Sequence, residues 1–321
     1  MGRSAKSRLL ARPGKGARLI SKMINIETTN ICGARCLICP RESFTSKPQT
    51  MNMCLFKKII DDASRYDIRS FDTCGFGDPF ADKLFFERCA YVRKKMPNAK
   101  IYASSTCYLM KPELYDKVVK YIDILKISSY GMTKNIYEAV HRGNIKFNQS
   151  MSNILGLLER VRGLKKKLYT IGLFVVVDEN KHQKNTWIKF WESKLDEVFV
   201  WLPHNWVDYR NYRTVDYSKQ VSCGRPLNGP LYIAADGAVS PCCWDINKRL
   251  TIGDMNKQTI KEILNSKEYL TVKKAHENND FKGLICYHCD QTNPRDDVLL
   301  YATNKNRKIN VLTSDSSYVQ A

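Results

Sequence analysis

Between residues 22 and 203 the chain alternates two hydrophobic periods. Short apolar runs of strand length cover 22–28, 68–74, 100–105, 124–129, 168–177 and 197–202. Stretches with apolar positions at helical spacing lie between them, at 53–66, 84–96, 112–121, 133–141, 147–161 and 182–195. Pro112 suits the first turn of its helix, where a missing N–H costs nothing. Six strands alternating with helices predict an α/β fold with a parallel sheet and ligands at the C-terminal strand ends. Past residue 204 the pattern breaks into short strands, Gly and Pro turns and one helix over 257–276. Within it, 231–241 reads as a β-hairpin turning at Asp236-Gly237. The expected organisation is a basic arm at 1–21, a core at 22–205, a smaller domain at 206–292 and a loosely held polar tail at 293–321.

Composition narrows the class. Of 321 residues, 43% are hydrophobic and 26% charged, the balance of a soluble globular protein. The longest unbroken apolar run, 173–177, is far too short to cross a bilayer, and no apolar stretch follows the basic N-terminus as a secretory signal would require. No membrane association and a cytoplasmic location are expected. Lys and Arg total 52 against 32 Asp and Glu, a net charge of +20, and seven of the basic residues fall in 1–22 with no acid among them. That excess favours acidic ligands, phosphates or nucleic acid, or else serves solubility. No RNA-binding motif accompanies the charge, so nucleic acid stays open on charge alone.

The twelve cysteines decide more. Outside an oxidising compartment, clustered thiols more often hold metal than form disulfides. Cys32, Cys36 and Cys39 form C-x3-C-x2-C immediately after the first strand. No fourth Cys or His lies nearby to complete a tetrahedral zinc site, and three thiolates on one short loop suit a cubane with one iron left open. Cys223, Cys242, Cys243, Cys286 and Cys289 form a late group. The hairpin would carry Cys223 and Cys242 to one region, and Cys286 and Cys289 return on a C-x2-C loop. Four thiolates suit a structural zinc or a fully ligated [4Fe–4S] cluster, and spacing alone does not separate the two. Cys54, Cys74, Cys89 and Cys107 stand apart and read as small buried hydrophobes.

In spacing and context, the first group resembles the signature of the radical S-adenosylmethionine enzymes. That resemblance implies a partial (β/α)6 barrel. It also implies a [4Fe–4S] cluster on Cys32, Cys36 and Cys39 whose open iron chelates S-adenosylmethionine, and a flavodoxin- or ferredoxin-type electron donor. In the family, one electron cleaves the sulfonium and the resulting 5′-deoxyadenosyl radical abstracts hydrogen from substrate. Ile38 stands where the family often has an aromatic residue near the adenine. C-G-F-G-D-P-F at the end of the second strand resembles the family's G-G-E-P turn, whose backbone carbonyls receive the cofactor's ammonium; Phe76, Gly77, Asp78 and Pro79 occupy those places. Ser128 and Ser129, with Ser104 and Ser105, are strand-end candidates for ribose or carboxylate contacts.

The late group resembles the family's SPASM and twitch domains, which begin C-x9–15-G-x4-C. Cys223, Gly237 and Cys242 fit, with thirteen residues between the first two. Full SPASM domains carry seven cysteines and two auxiliary clusters. The shorter twitch form, a hairpin plus helix with one auxiliary [4Fe–4S] cluster, fits better here. Its implied ligands are Cys223, Cys242, Cys286 and Cys289, with Cys243 as the alternative to Cys242. His288 would point away from that site. His204, Asn205 and Trp206 leave the sixth strand at the barrel mouth, and Asp178, Glu179 and Asn180 end the fifth; all are candidates for cofactor or substrate contacts. The basic run Arg160, Arg162, Lys165, Lys166 and Lys167 reads as a solvated helix end.

The expected function is a radical S-adenosylmethionine oxidoreductase, dehydrogenase-like. Its substrate would be a small hydroxylated or phosphorylated molecule, and its auxiliary cluster would accept an electron. Two alternatives stand beside it: a peptide-modifying enzyme of the SPASM kind and a nucleic-acid-modifying one. Only about 22 residues precede the first strand, too few for the winged-helix module that peptide maturases commonly carry there.

Overall fold

The computed structural model describes residues 21–164 and 168–303. The expected arm, apart from residue 21, lies outside the described residues, as do Lys165, Lys166 and Lys167. In chain order the elements of the core are β1 (Met23–Ile26), α1 (Met53–Ala63), β2 (Ser70–Asp72), α2 (Phe85–Lys95), β3 (Lys100–Ser105), α3 (Tyr115–Tyr121), β4 (Ile124–Ser128), α4 (Lys134–His141), α5 (Phe147–Val161), β5 (Tyr169–Val175), α6 (Lys184–Trp191) and β6 (Glu197–Trp201). There follow α7 (Arg225–Asn228), β7 (Leu231–Ile233), β8 (Ala238–Ser240), β9 (Gly253–Asp254), α8 (Ile260–Leu264), α9 (Lys267–Asn278) and β10 (Leu299–Ala302). Among the described residues no helix is long and apolar enough to cross a membrane.

β1 to β6 pair in parallel in sequence order, which with the intervening helices makes the partial (β/α)6 barrel. Strand alternation sorts the side chains. Ile24, Phe71, Ile101, Leu125, Phe174 and Val198 face the helices and join the main core, where Phe56, Ile59 and Ile60 of α1 meet them. Met23, Tyr102, Ile124, Ile171 and Phe199 face inward as a second cluster. The inner face also carries charge: Lys126 Nζ bonds Asp72 Oδ2 at 2.8 Å, both side chains nearly inaccessible.

Three features depart from the sequence reading. First, the expected 206–292 domain shares the sheet of the barrel. β7 pairs in parallel with β1, and β8 and β9 follow antiparallel, extending a ten-stranded sheet. The hairpin turn is displaced by one residue: Gly237 N–H donates to Ala234 O at 2.8 Å, so Ala235 and Asp236 are its central pair, and Gly237 follows at φ +94°, which glycine tolerates. Second, the single helix expected over 257–276 is two. Thr259 forms a capping box with Glu262 at the start of α8, and Ser266 caps Tyr269 N–H at the start of α9, so the break is written in two capping residues. Third, the tail expected from 293 re-enters the fold. Leu299–Ala302 pairs antiparallel with the exposed edge of β6, and the Tyr301 hydroxyl donates to Glu192 at 2.6 Å. An unpaired edge strand is a ready partner for any extended segment, which the polar surroundings of 299–302 concealed.

Candidate active site

The loop after β1 is pinned against α4. Arg35 N–H donates to His141 O at 3.0 Å and Leu37 N–H to Val140 O at 2.9 Å, while Cys39 N–H closes a turn onto Cys36 O at 2.9 Å. This draws Cys32, Cys36 and Cys39 together: charge on Cys32 and Cys39 would raise the Cys36 thiol, and charge on Cys32 the Cys39 thiol. Burial pushes all three thiols up, Cys39 to about 12, and the Arg41 guanidinium partly offsets it. A thiolate here therefore needs a compensating positive charge, which bound iron would supply. Arg41 also donates to the Phe76 and Asn30 carbonyls. Arg210 donates to Cys39 O at 2.7 Å and ion-pairs with Glu42, and the Trp206 indole N–H donates to Ile38 O. Trp206 is a barrel-mouth candidate in the sequence, whereas nothing in the sequence pattern marks Arg41 and Arg210.

The turn after β2 is built on Glu27, which accepts from Phe76 N–H at 2.7 Å. Phe76 packs among Phe44, Trp206 and Tyr232, and its carbonyl, one of the expected ammonium receptors, already accepts from Arg41. Asp78 turns its side chain inward: it accepts from Phe80 N–H at 3.0 Å and Ser105 Oγ at 2.7 Å, and burial raises its pKa. Pro79 opens the next turn. Ser128 pairs with Tyr130, whereas the Ser129 hydroxyl is buried without a hydrogen-bond partner among the described residues, a group that a bound ligand could satisfy. Asp178 is exposed and paired with Lys181, and Asn180 is spent on Val177, Tyr130 and Val175, so the fifth-strand end contributes no free group from these two.

The late cysteines meet. Cys223, Cys242, Cys286 and Cys289 line one small cavity of about 20 Å³ with Arg225, Trp244 and His276. Cys243 faces the other way, into an apolar cluster with Phe76, Tyr232 and Ala234. His288 lies instead beside Tyr217, 3.4 Å from its hydroxyl. Burial pushes the four thiols up, Cys242 to about 11. Among the described residues no three His, Cys, Asp or Glu side chains converge as a single ion requires. Four thiols around one cavity supply the full set of ligands that a cubane with no open iron takes.

A larger cavity of about 290 Å³ opens inside the barrel. Ile171, Leu173, Phe199 and Trp201 form its floor, with Ser104 and Lys126. Ile38, Tyr130, His204, Trp206 and the segment 291–298 enclose it. Trp244 and Gln291 line both cavities and so form a shared wall. Trp244 is stacked on His204 at 3.9 Å between ring centroids, and the Arg225 guanidinium sits 3.6 Å from its ring. Burial, aided by Arg225 and Arg213, pushes the His204 pKa well below the ordinary imidazole value. The larger cavity is lined by three cationic residues, Lys126, Arg213 and Arg295, and by no carboxylate among the described residues.

Comparison with known proteins places this geometry. Residues 223–290 match the SPASM family, described as an iron–sulfur cluster-binding domain. No curated protein matches the sequence. Among solved structures, BtrN in complex with AdoMet and 2-DOIA superposes with a TM-score of 0.62 at 17% identity, over 88% of this chain and 100% of that one. Native anSMEcpe with bound AdoMet gives 0.61 at 16% identity, over 87% and 92%. Streptococcus suis SuiB bound to precursor peptide SuiA gives 0.61 at 12% identity, over 84% and 69%. At these identities the likeness is one of fold.

Proposed function

We propose that the chain is a radical S-adenosylmethionine oxidoreductase acting on a small hydroxylated molecule of acidic or phosphorylated character. The carrying observation is the shared wall: the substrate-sized cavity and the four-thiol cavity are separated by Trp244 and Gln291. Cys32, Cys36 and Cys39 would hold one [4Fe–4S] cluster with S-adenosylmethionine, and Cys223, Cys242, Cys286 and Cys289 an auxiliary one. When bound, the first supplies a hydrogen-abstracting radical and the second an electron acceptor. The chain's own residues do the rest. Ile38 and Tyr130 bound the cofactor side of the cavity; the buried Ser129 hydroxyl, without a partner among the described residues, sits next to Tyr130 in the chain and is not part of that lining. Arg213 and Arg295 line the cavity while ion-paired with Asp290 and Asp297, and their remaining N–H groups would be available to a polar or anionic group of the substrate. A volume of about 290 Å³ suits a small molecule better than a peptide.

Support also comes from the fold shared with BtrN, whose structure holds AdoMet and 2-DOIA. The fold shared with SuiB, bound to a precursor peptide, keeps peptide modification as the second reading. A flavodoxin- or ferredoxin-type protein would supply the reducing electron. The test is turnover of anaerobically reconstituted enzyme with a panel of small hydroxy acids and sugar phosphates deuterated at carbon. A product lighter by two hydrogens, with deuterium recovered in 5′-deoxyadenosine, supports the reading. A peptide gaining an internal ring, with no small molecule turned over, overturns it.

A further inference from the structure

Two histidines that the sequence left without a role stand in matching positions at the two cysteine groups. His141, fully buried at the end of α4, places Nδ1 3.3 Å from Cys36 Sγ. His276, buried in α9, places Nε2 3.3 Å from Cys286 Sγ. We infer that both imidazoles are fixed-tautomer hydrogen-bond donors, each to one thiolate of its cysteine group, and that they set the reduction potentials of the clusters held there. The inference rests on the proposal that these groups hold clusters.

The tautomers follow from the other ring nitrogens. His141 Nε2 lies 3.1 Å from the Tyr130 backbone N–H, which can only donate. Nε2 therefore accepts and carries no proton, which excludes the imidazolium as well as one neutral tautomer. The ring proton must sit on Nδ1, directed at Cys36. Parallel stacking on the Tyr130 ring at 4.7 Å and contact with Tyr137 at 4.2 Å hold that orientation. At the late site a thiolate has no proton to give, so the contact with Cys286 is a hydrogen bond only if Nε2 carries the proton. Ser222 completes the arrangement: its hydroxyl lies 2.9 Å from His276 Nδ1 and accepts from Gly224 N–H at 3.1 Å, leaving its own proton for Nδ1. Phe281 packs on the ring at 4.9 Å. Both sites thus pair one cysteine sulfur with one imidazole whose far nitrogen is held by a group of the chain.

A hydrogen bond to a ligating sulfur stabilises the more negative, reduced cluster and raises its potential. Each histidine should act on its own cluster alone. The experiment is an EPR-monitored redox titration of reconstituted holoenzyme, with iron counted per chain, for the wild type, His276→Phe, His276→Gln, His141→Phe and His141→Gln. Wild type binding no cluster would defeat the proposed function before this inference is reached. With clusters present, His276→Phe should keep its iron and lower the auxiliary potential only. His276→Gln, which retains an amide N–H donor, should fall between it and the wild type. The His141 pair should do the same at the first cluster. Unchanged potentials with full iron overturn the inference, and so does loss of about half the iron, which would make the histidine a ligand. A wild-type measurement guards against unfolded variants. With 15N-labelled histidine, weak hyperfine coupling to each reduced cluster is expected; no coupling, or the strong coupling of direct ligation, overturns the inference.

Discussion

Gly77 leaves no room for a methyl group. A Cβ there would overlap the Thr29 carbonyl oxygen and lie 2.7 Å from its carbon, and both obstacles are backbone that cannot swing aside. The close approach binds the turn after β2 to the strand-end segment that leads into the first cysteine loop, where Asp78 N–H donates to Ile31 O at 2.9 Å. Gly77→Ala should therefore cost about 1–3 kcal/mol in urea melts and weaken S-adenosylmethionine binding to reconstituted protein. Gly33, between Cys32 and Cys36, is the control: a Cβ there meets only Ile145 Cδ1, at 3.5 Å, so Gly33→Ala should change neither measurement appreciably. Equal effects from the two would mean that the turn is not held by this contact. At the same scale, the thiols show why residue identity and surroundings must agree. Burial disfavours the thiolate at all seven positions, so the motif is costly unless something positive binds it.

Between elements, Glu27 is the joint. It directly follows β1, its N–H donates to Ile233 O at 2.9 Å, and its carboxyl accepts from Phe76 N–H at 2.7 Å and Ala235 N–H at 3.2 Å. One side chain thus ties the barrel, the turn after β2 and the β7–β8 hairpin. Burial raises its pKa above the ordinary 4.5, against the pull of the two amides. The sign follows: as pH rises past 4.5 the unfolded chain releases this proton before the folded one does. The folded state then binds more protons, and stability falls until the raised pKa is passed. Glu27→Gln should remove that share of the pH slope. It should also cost about 1–3 kcal/mol, because an amide nitrogen would face one of the two N–H groups. Urea melts across that pH range check both; an unchanged slope would show that Glu27 does not titrate there. Elements were legible where one period ran unbroken: β3 at 100–105 and α5 at 147–161 appear with the bounds the pattern predicts. Elements that depend on a distant partner were not. The strand at Leu299–Ala302 exists because β6 offers an edge, and β7 joins the barrel because β1 has a free side; neither edge can be read from local periodicity. The cysteine spacing pointed to the site, but Arg41, Arg210, His141 and Trp244 carry no spacing signal, because they are brought in by tertiary contacts 11 to 173 residues away.

At the scale of the whole molecule, the chain crosses its own cavity twice more after finishing the barrel. Segment 203–206 and segment 291–298 both line the larger cavity, and Trp244 from the hairpin region closes it toward the late thiols. The cavity over the sheet is walled on that side by the C-terminal third folding back, which is why its lining residues are drawn from positions 38 to 298. The wall is the part whose removal separates containment from chemistry. Trp244 touches no described group that the proposed reaction consumes, yet it stands between the two cavities, held by His204 and Arg225. Trp244→Phe keeps an aromatic barrier and should retain about eight irons per chain and near-normal product yield. Trp244→Ala removes the barrier, at a stability cost of about 3–5 kcal/mol. The joined space would admit water and oxygen to the four-thiol site. Faster bleaching of the iron–sulfur absorbance in air is then expected, together with more 5′-deoxyadenosine formed per product released. Both effects belong to the opening and not to lost iron, so they are read on variant protein reconstituted to full iron content. A Trp244→Ala enzyme that bleaches at the wild-type rate and stays fully coupled would show that the wall neither shields the late site nor confines the reaction.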